Sequence, residues 1–228
     1  MMQLDYKIAR SPKRKKLTIT VGRDRSVIVH APEGTSEETV RRVVDAKRQW
    51  LFEKLRHPQK YRDQPPAPGK ELVSGESMPY LGKNYRIELV DSDSKLICFD
   101  QKFFVPRSLE CERQNAFRHW YKEKASKRIL PRVRQTAKAL GVNVNDAKII
   151  GSCFRWGSCT PKDNVNFNWR LIKAPMFVID YVIVHELAHL IEPNHTPRFW
   201  NIVKAQVPGM EKAKAWLKEN GQFLEQDL

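Results

Sequence analysis

Residues 185–195 read His185-Glu186-Leu187-Ala188-His189-Leu190-Ile191-Glu192-Pro193-Asn194-His195. They close a stretch that opens behind Pro175 and whose first nine residues, Met176–Val184, hold a single charge, Asp180. A proline suits the start of a helix and cannot continue one. The pair Pro175 and Pro193 therefore brackets a predicted helix from about Met176 to Ile191. Helical spacing puts His185 and His189 one turn apart on one face, where both imidazoles reach a single metal ion. Glu186 lies about 100° round the helix, so its carboxylate flanks the ion instead of filling its shell. That is the placement of a general base acting on metal-bound water.

A catalytic zinc site uses three protein ligands and one open position. His195 follows His189 by six residues, past the helix end, and Asn194 tolerates the left-handed backbone a reversal there needs. Half of the chain's six histidines fall in these eleven residues, which makes accident a poor account of the spacing. Glu192 competes as third ligand, since 185, 189 and 192 share a helical face. A glutamate one turn beyond His189 lies far from an ion held between the two imidazoles, so His195 is read as the ligand. The HExxHxxxxxH spacing is the one used by three-histidine zinc proteases, although Glu192 stands where metzincins carry a glycine. Imidazoles also accept nickel, cobalt or iron, so zinc is the expected metal and another divalent transition metal an alternative.

Working outward, Asn164-Val165-Asn166-Phe167-Asn168-Trp169-Arg170-Leu171 alternates polar and apolar residues without exception, the pattern of a half-buried strand. Only Ile172–Pro175 separate it from the metal helix. An exposed edge there would take an extended peptide by backbone hydrogen bonds, placing Asn166 and Asn168 against substrate. The block Arg155-Trp156-Gly157-Ser158-Cys159 offers Arg155 to an anionic intermediate, a phosphate or a carboxylate, with Trp156-Gly157 as a packed turn. Cys153 and Cys159 are conceivable metal ligands that a three-histidine site does not need.

Further upstream, Leu109–Leu140 reads as a long helix kinked or split at Pro131 and stopped at Gly141. Its segment Arg113–Lys138 holds nine Lys or Arg against one acid, Glu123, a net +8. This is either a solvated face or a surface for nucleic acid or nucleotide phosphates. The first hundred residues mix strands and one helix. Leu17–Val29 forms a hairpin around Gly22–Ser26, and Thr35-Ser36-Glu37-Glu38 opens a helix reaching Arg56. Strands are expected near Met78–Leu89, Lys95–Asp100 and Lys102–Pro106, after a proline-rich surface connection over His57–Ser74. The fold class is α+β: an N-terminal α+β part, residues 1–108, and a catalytic domain, residues 109–228.

Composition narrows the class. The 228 residues are 41% hydrophobic and 29% charged, with 41 Lys and Arg against 26 Asp and Glu, a net charge of +15. That is enough apolar material for a core, so general disorder is excluded. No run of about 18 apolar residues exists to span a membrane. Four cysteines in no tight pattern suit a reducing compartment, here read as cytoplasmic.

His185-Glu186-Leu187-Ala188-His189-Leu190 with Asn194-His195 and Arg198-Phe199-Trp200 resembles the YgjP-like metallopeptidases, and Arg155–Cys159 is a second block similar to that family. The resemblance implies a minimal zincin-like fold, akin to SprT-like and WLM proteases, with zinc at His185, His189 and His195 and Glu186 as base. The function it implies is a zinc-dependent hydrolase of the metallopeptidase type acting on peptide or protein. The same resemblance is linked to nucleoside triphosphate pyrophosphatase activity with UTP as substrate, in which the basic helix and Arg155 would hold phosphates. A third reading is a nucleic-acid-associated protein whose metal is structural. An intact Glu186 beside the first histidine argues against it, because a structural site needs no base.

Overall fold

The helix that carries the histidines forms because almost every face of it is buried. A computed structural model describes residues 5–12, 14–22, 26–56, 70–152 and 155–225, and its strands and helices are numbered below in chain order. The chain divides into two compact units, Met1–Pro65 and Pro66–Leu228. This differs from the boundary after Ser108 read from sequence. The strands between residues 77 and 106 share one core with the long basic helix and the metal helix, so they belong with the second unit.

In the first unit, β1 (Lys7–Ser11), β2 (Thr18–Val21) and β3 (Val27–Pro32) form a sheet of order β1-β3-β2, β1 parallel and β2 antiparallel to β3. Alternation in β3 buries Val27, Val29 and Ala31 on one face. They pack with Val40, Val44 and Leu51 from α1 (Glu37–Ala46) and α2 (Arg48–Arg56). Ser36 caps α1 by accepting from the Thr39 N–H, as the sequence signal indicates. The helix expected to run unbroken to Arg56 is interrupted at Lys47, which leaves helical geometry.

The second unit opens with β4 (Ser77–Tyr80) and β5 (Lys83–Val90), then β6 (Cys98–Phe99) and β7 (Phe103–Pro106), in sheet order β4-β5-β7-β6. The single strand expected over Met78–Leu89 is a hairpin, because Leu81 (φ 49°) and Gly82 (φ 81°) make a two-residue turn of the kind that needs positive φ twice. Leu72, inside the stretch read as a surface connection, is fully buried, while 57–69 lie outside the described residues. The long helix α3 (Arg113–Leu140) follows a 3-10 turn, runs unbroken through Pro131, and stops at Gly141 in left-handed geometry. Phe117, Trp120 and Tyr121 on α3 pack edge-on against Phe103, and the Tyr121 hydroxyl donates to the Pro79 carbonyl at 2.7 Å.

Then come β8 (Asp146–Ile150), β9 (Gly157–Cys159) and β10 (Asn164–Asn168), in order β8-β10-β9. β10 is parallel to β8 and antiparallel to β9. The predicted strand to Leu171 stops at Asn168. The Asn168 carboxamide oxygen accepts from the Arg170 N–H and starts a 3-10 turn, Trp169–Lys173. α4 (Met176–Ala188) follows, with Val178, Ile179, Tyr181–Val184 and Glu186–Ala188 all buried. It ends slightly earlier than expected, its last turn tightening into Leu190 N–H to Leu187 O and Ile191 N–H to Ala188 O. Two devices hold its start. The β4–β5 turn docks on it, with Leu81 and Gly82 N–H donating to the Ile172 and Lys173 carbonyls. A Cβ on Gly82 would stand 2.6 Å from Pro175 Cγ. Arg132 of α3 also grips Asp180 with two bonds, at 2.7 and 2.9 Å. α5 (Pro197–Gln206) and α6 (Met210–Glu225) close the unit. Among the described residues no helix is long and apolar enough to cross a membrane.

Candidate active site

α4 delivers His185 and places His189 at its C-terminal cap. The chain then reverses through Pro193 and Asn194, and Thr196 caps α5 by accepting from the Phe199 N–H. That reversal returns His195 to the two helical histidines. One ligand nitrogen from each ring lies within 4.8 Å of the others, and this is the only such cluster among the described residues. Glu192 is not part of it. The Nε2 atoms of His185 and His195 are 3.1 Å apart. Two nitrogens bound to one tetrahedral zinc at ordinary bond lengths stand about 3.3 Å apart, so the donors fit a metal ion. His189 Nδ1 faces the Glu192 carbonyl at 3.3 Å, an outer hydrogen bond that leaves Nε2 for the ion.

The rings are held from behind. Phe199 is fully buried, and its centroid lies 5.0 Å from His185, 4.6 Å from His189 and 4.8 Å from His195. Trp200 stacks on His195 at 5.5 Å, and Lys214 of α6 lies over the Trp200 ring. Burial, then the neighbouring His189 and His195, pushes the His185 pKa down to about 3, and burial lowers that of His189. Burial thus favours the neutral form of both rings, the form that binds metal.

A family model for the YgjP-like metallopeptidase domain matches residues 15–220. The chain belongs to this YgjP-like family. It is accordingly a metal-dependent hydrolase of the metallopeptidase type. Among solved structures, the metallopeptidase zymogen abylysin of Pyrococcus abyssi is 20% identical over 42% of this chain and 94% of that one, with a TM-score of 0.36. That likeness is too remote to carry an argument. No curated protein matches the chain.

In this YgjP-like protein Glu186 is buried against β9. Its pKa is pushed up to about 7 by burial, against the opposing pull of the Arg155 charge and a hydrogen bond from the Cys159 N–H. Arg155 is exposed. Phe199 belongs to the buried core while also backing all three ligand rings. The strand-edge reading of substrate binding is corrected. β8 and β9 occupy both edges of β10, so no peptide can add to Asn164–Asn168. Asn168 is fully buried, donating to the Ser152 and Arg155 carbonyls at 2.6 and 3.2 Å. Asn166 donates to Ser158 Oγ at 3.3 Å. Both side chains brace the loop that carries Arg155 and the strand after it. The terminal strand is β9, and no periodicity in three residues marks it. Its one sequence signal is Gly157, since a glycine inside a strand marks a close approach. Cys153 lies outside the described residues.

Proposed function

We propose that the protein is a zinc peptidase of the zincin type, with His185, His189 and His195 as metal ligands and Glu186 as general base. The observation that carries this reading is the convergence of three imidazole nitrogens within 4.8 Å, with a buried carboxylate on the next residue of the same helix. Bound there, zinc would polarise the substrate carbonyl and acidify the attacking water. Glu186 takes the proton from that water at its carboxylate and later passes it to the leaving amine. Its burial keeps bulk water from competing for the proton. Arg155, whose charge already acts on Glu186, would stabilise the negative charge that develops on substrate. An extended peptide is held at the outer edge of β9, the terminal strand of its sheet, which yields loose sequence preference because main-chain groups supply the binding.

A second reading, hydrolysis of a nucleoside triphosphate such as UTP, is favoured by the exposure of Arg155 and by the loss of β10 as a docking edge. The +8 helix supports it less than its charge suggests, because Arg113 is buried, Arg132 is bound to Asp180 and Lys127 pairs with Glu123. The test is hydrolysis of a peptide library and of nucleoside triphosphates by zinc-loaded protein, with Glu186→Gln as control. Peptide turnover that falls by about 10²–10⁴ in the variant, with metal retained, supports the peptidase. Release of pyrophosphate lost in the same variant would instead support the nucleotide reading.

A further inference from the structure

β9 has three residues, and two of them bear on Glu186. A Cβ on Gly157 would stand 2.5 Å from Glu186 Cγ, 2.8 Å from Cδ and 2.7 Å from Oε1. The glycine therefore sets how near the strand approaches α4, and any larger residue must displace the carboxylate or the helix. Two residues on, the Cys159 N–H donates to the same carboxylate. Strand geometry explains why these two act together. Trp156 O accepts from Asn168 N–H at 2.8 Å and Thr160 N–H donates to Asn164 O at 2.9 Å, so residues 156, 158 and 160 direct their backbone groups at β10. Residues 157 and 159 direct theirs the opposite way, and their Cβ positions share the other face of the pleat from Ser158.

We infer that β9 is a positioning device for the proposed base: Gly157 admits the Glu186 side chain, and the Cys159 N–H fixes the angle of its carboxylate. This rests on the proposed role of Glu186. A glutamate has three rotatable bonds, and at its helical position the carboxylate is free to swing toward the ligand face, where it would compete for the metal, or toward bulk water. One steric wall and one donor remove both choices. The base is thereby held next to the ion without joining its shell, the geometry on which a proton transfer depends. The same arrangement uses one outward N–H of β9, so a peptide lying on that edge finds the Gly157 N–H and C=O and the Cys159 C=O but not the Cys159 N–H while Glu186 holds it.

The experiment uses full-length, zinc-loaded protein and reads kcat, KM, zinc per chain and melting temperature. Gly157→Ala should lower kcat about 10²-fold, the cost of misplacing a catalytic group by roughly 1 Å, while KM moves little and zinc stays bound. Cys159→Pro replaces the outward N–H by the ring Cδ, a change an edge strand tolerates, so it removes the donor and sets a methylene against the Glu186 carboxylate. Read against Cys159→Ala, which keeps the N–H, it should lower kcat at least tenfold with zinc retained. With β9 itself unaltered, the amide resonance of Cys159 should move upfield in Glu186→Gln, as the carboxylate gives way to a weaker carboxamide acceptor. That measurement stands even if Gly157→Ala does not fold. A lowered melting temperature with wild-type kcat per folded molecule in both variants, or an amide signal indifferent to Glu186→Gln, would overturn the inference and leave β9 as packing. Full activity of Glu186→Gln itself would instead overturn the base assignment.

Discussion

β10 and β9 lie side by side, and they divide the labour of one small sheet. β10 has the alternation that sequence reading values most, and it buries Val165, Phe167 and Asn168 completely. Both of its edges are used, and its polar side chains are spent on the neighbouring loop and strand. β9 has no pattern to notice and, among the described residues, no strand on its other side, and it is the strand against which Glu186 rests. Regular alternation is a signature of burial between two environments. A strand that serves chemistry at an edge is short and carries a glycine where the reacting group must fit. The difference teaches that a clean pattern locates the scaffold, and a break in pattern locates the site.

The largest expected effect that sharpens this comparison is on the scaffold strand. Phe167→Ala should cost about 3–5 kcal/mol of unfolding free energy, read by urea denaturation, and leave the zinc affinity of the folded fraction unchanged. A variant that stays stable but loses zinc would break the division. Excess zinc acts on the other side. At about 100 times its dissociation constant it should stabilise the native protein by about 2.7 kcal/mol, visible as a raised melting temperature, and by the same amount in Phe167→Ala. Asn168→Ala removes a buried carboxamide that donates to two carbonyls and accepts from the Arg170 N–H. It should destabilise by about 1–3 kcal/mol, with affinity for peptide substrate altered only through the displaced Arg155 loop. The smallest effect belongs to Ser158→Ala. Its side chain faces away from Glu186 and bonds only Asn166 among the described residues, so stability should change by about 1 kcal/mol or less and kcat should not change. A large kcat loss there would show that the faces of β9 are misassigned.

The metal helix was legible because its message is local. Two prolines bracket it, and ligand spacing within one helix follows from 3.6 residues per turn. Placing His195 needed only a short reversal, also local. The long helix and its stop at Gly141 were readable for the same reason, although Pro131 does not break it, because that residue is exposed and its neighbours continue the helix. Strand ends and sheet order were not legible. Asn164–Leu171 alternates through eight residues, yet Asn168 bonds its own backbone neighbour Arg170 and ends the strand early. Which strand lies between which is decided by pairings such as Val165 with both Ala147 and Cys159, and no single segment encodes them. The unit boundary was misplaced for a related reason. Tyr80, Phe99 and Phe103 pack edge-on or tilted against Trp120 across a long stretch of sequence, so the boundary read after Ser108 marks a change of element and not of core.

The central claim is that three histidines, the third from beyond the helix, form one metal site. Its most direct test is zinc retained per chain after exhaustive dialysis, measured on the native protein, His195→Ala and Glu192→Ala. One zinc should remain in the native protein and in Glu192→Ala, and His195→Ala should lose it. Retention in His195→Ala together with loss in Glu192→Ala would contradict the account.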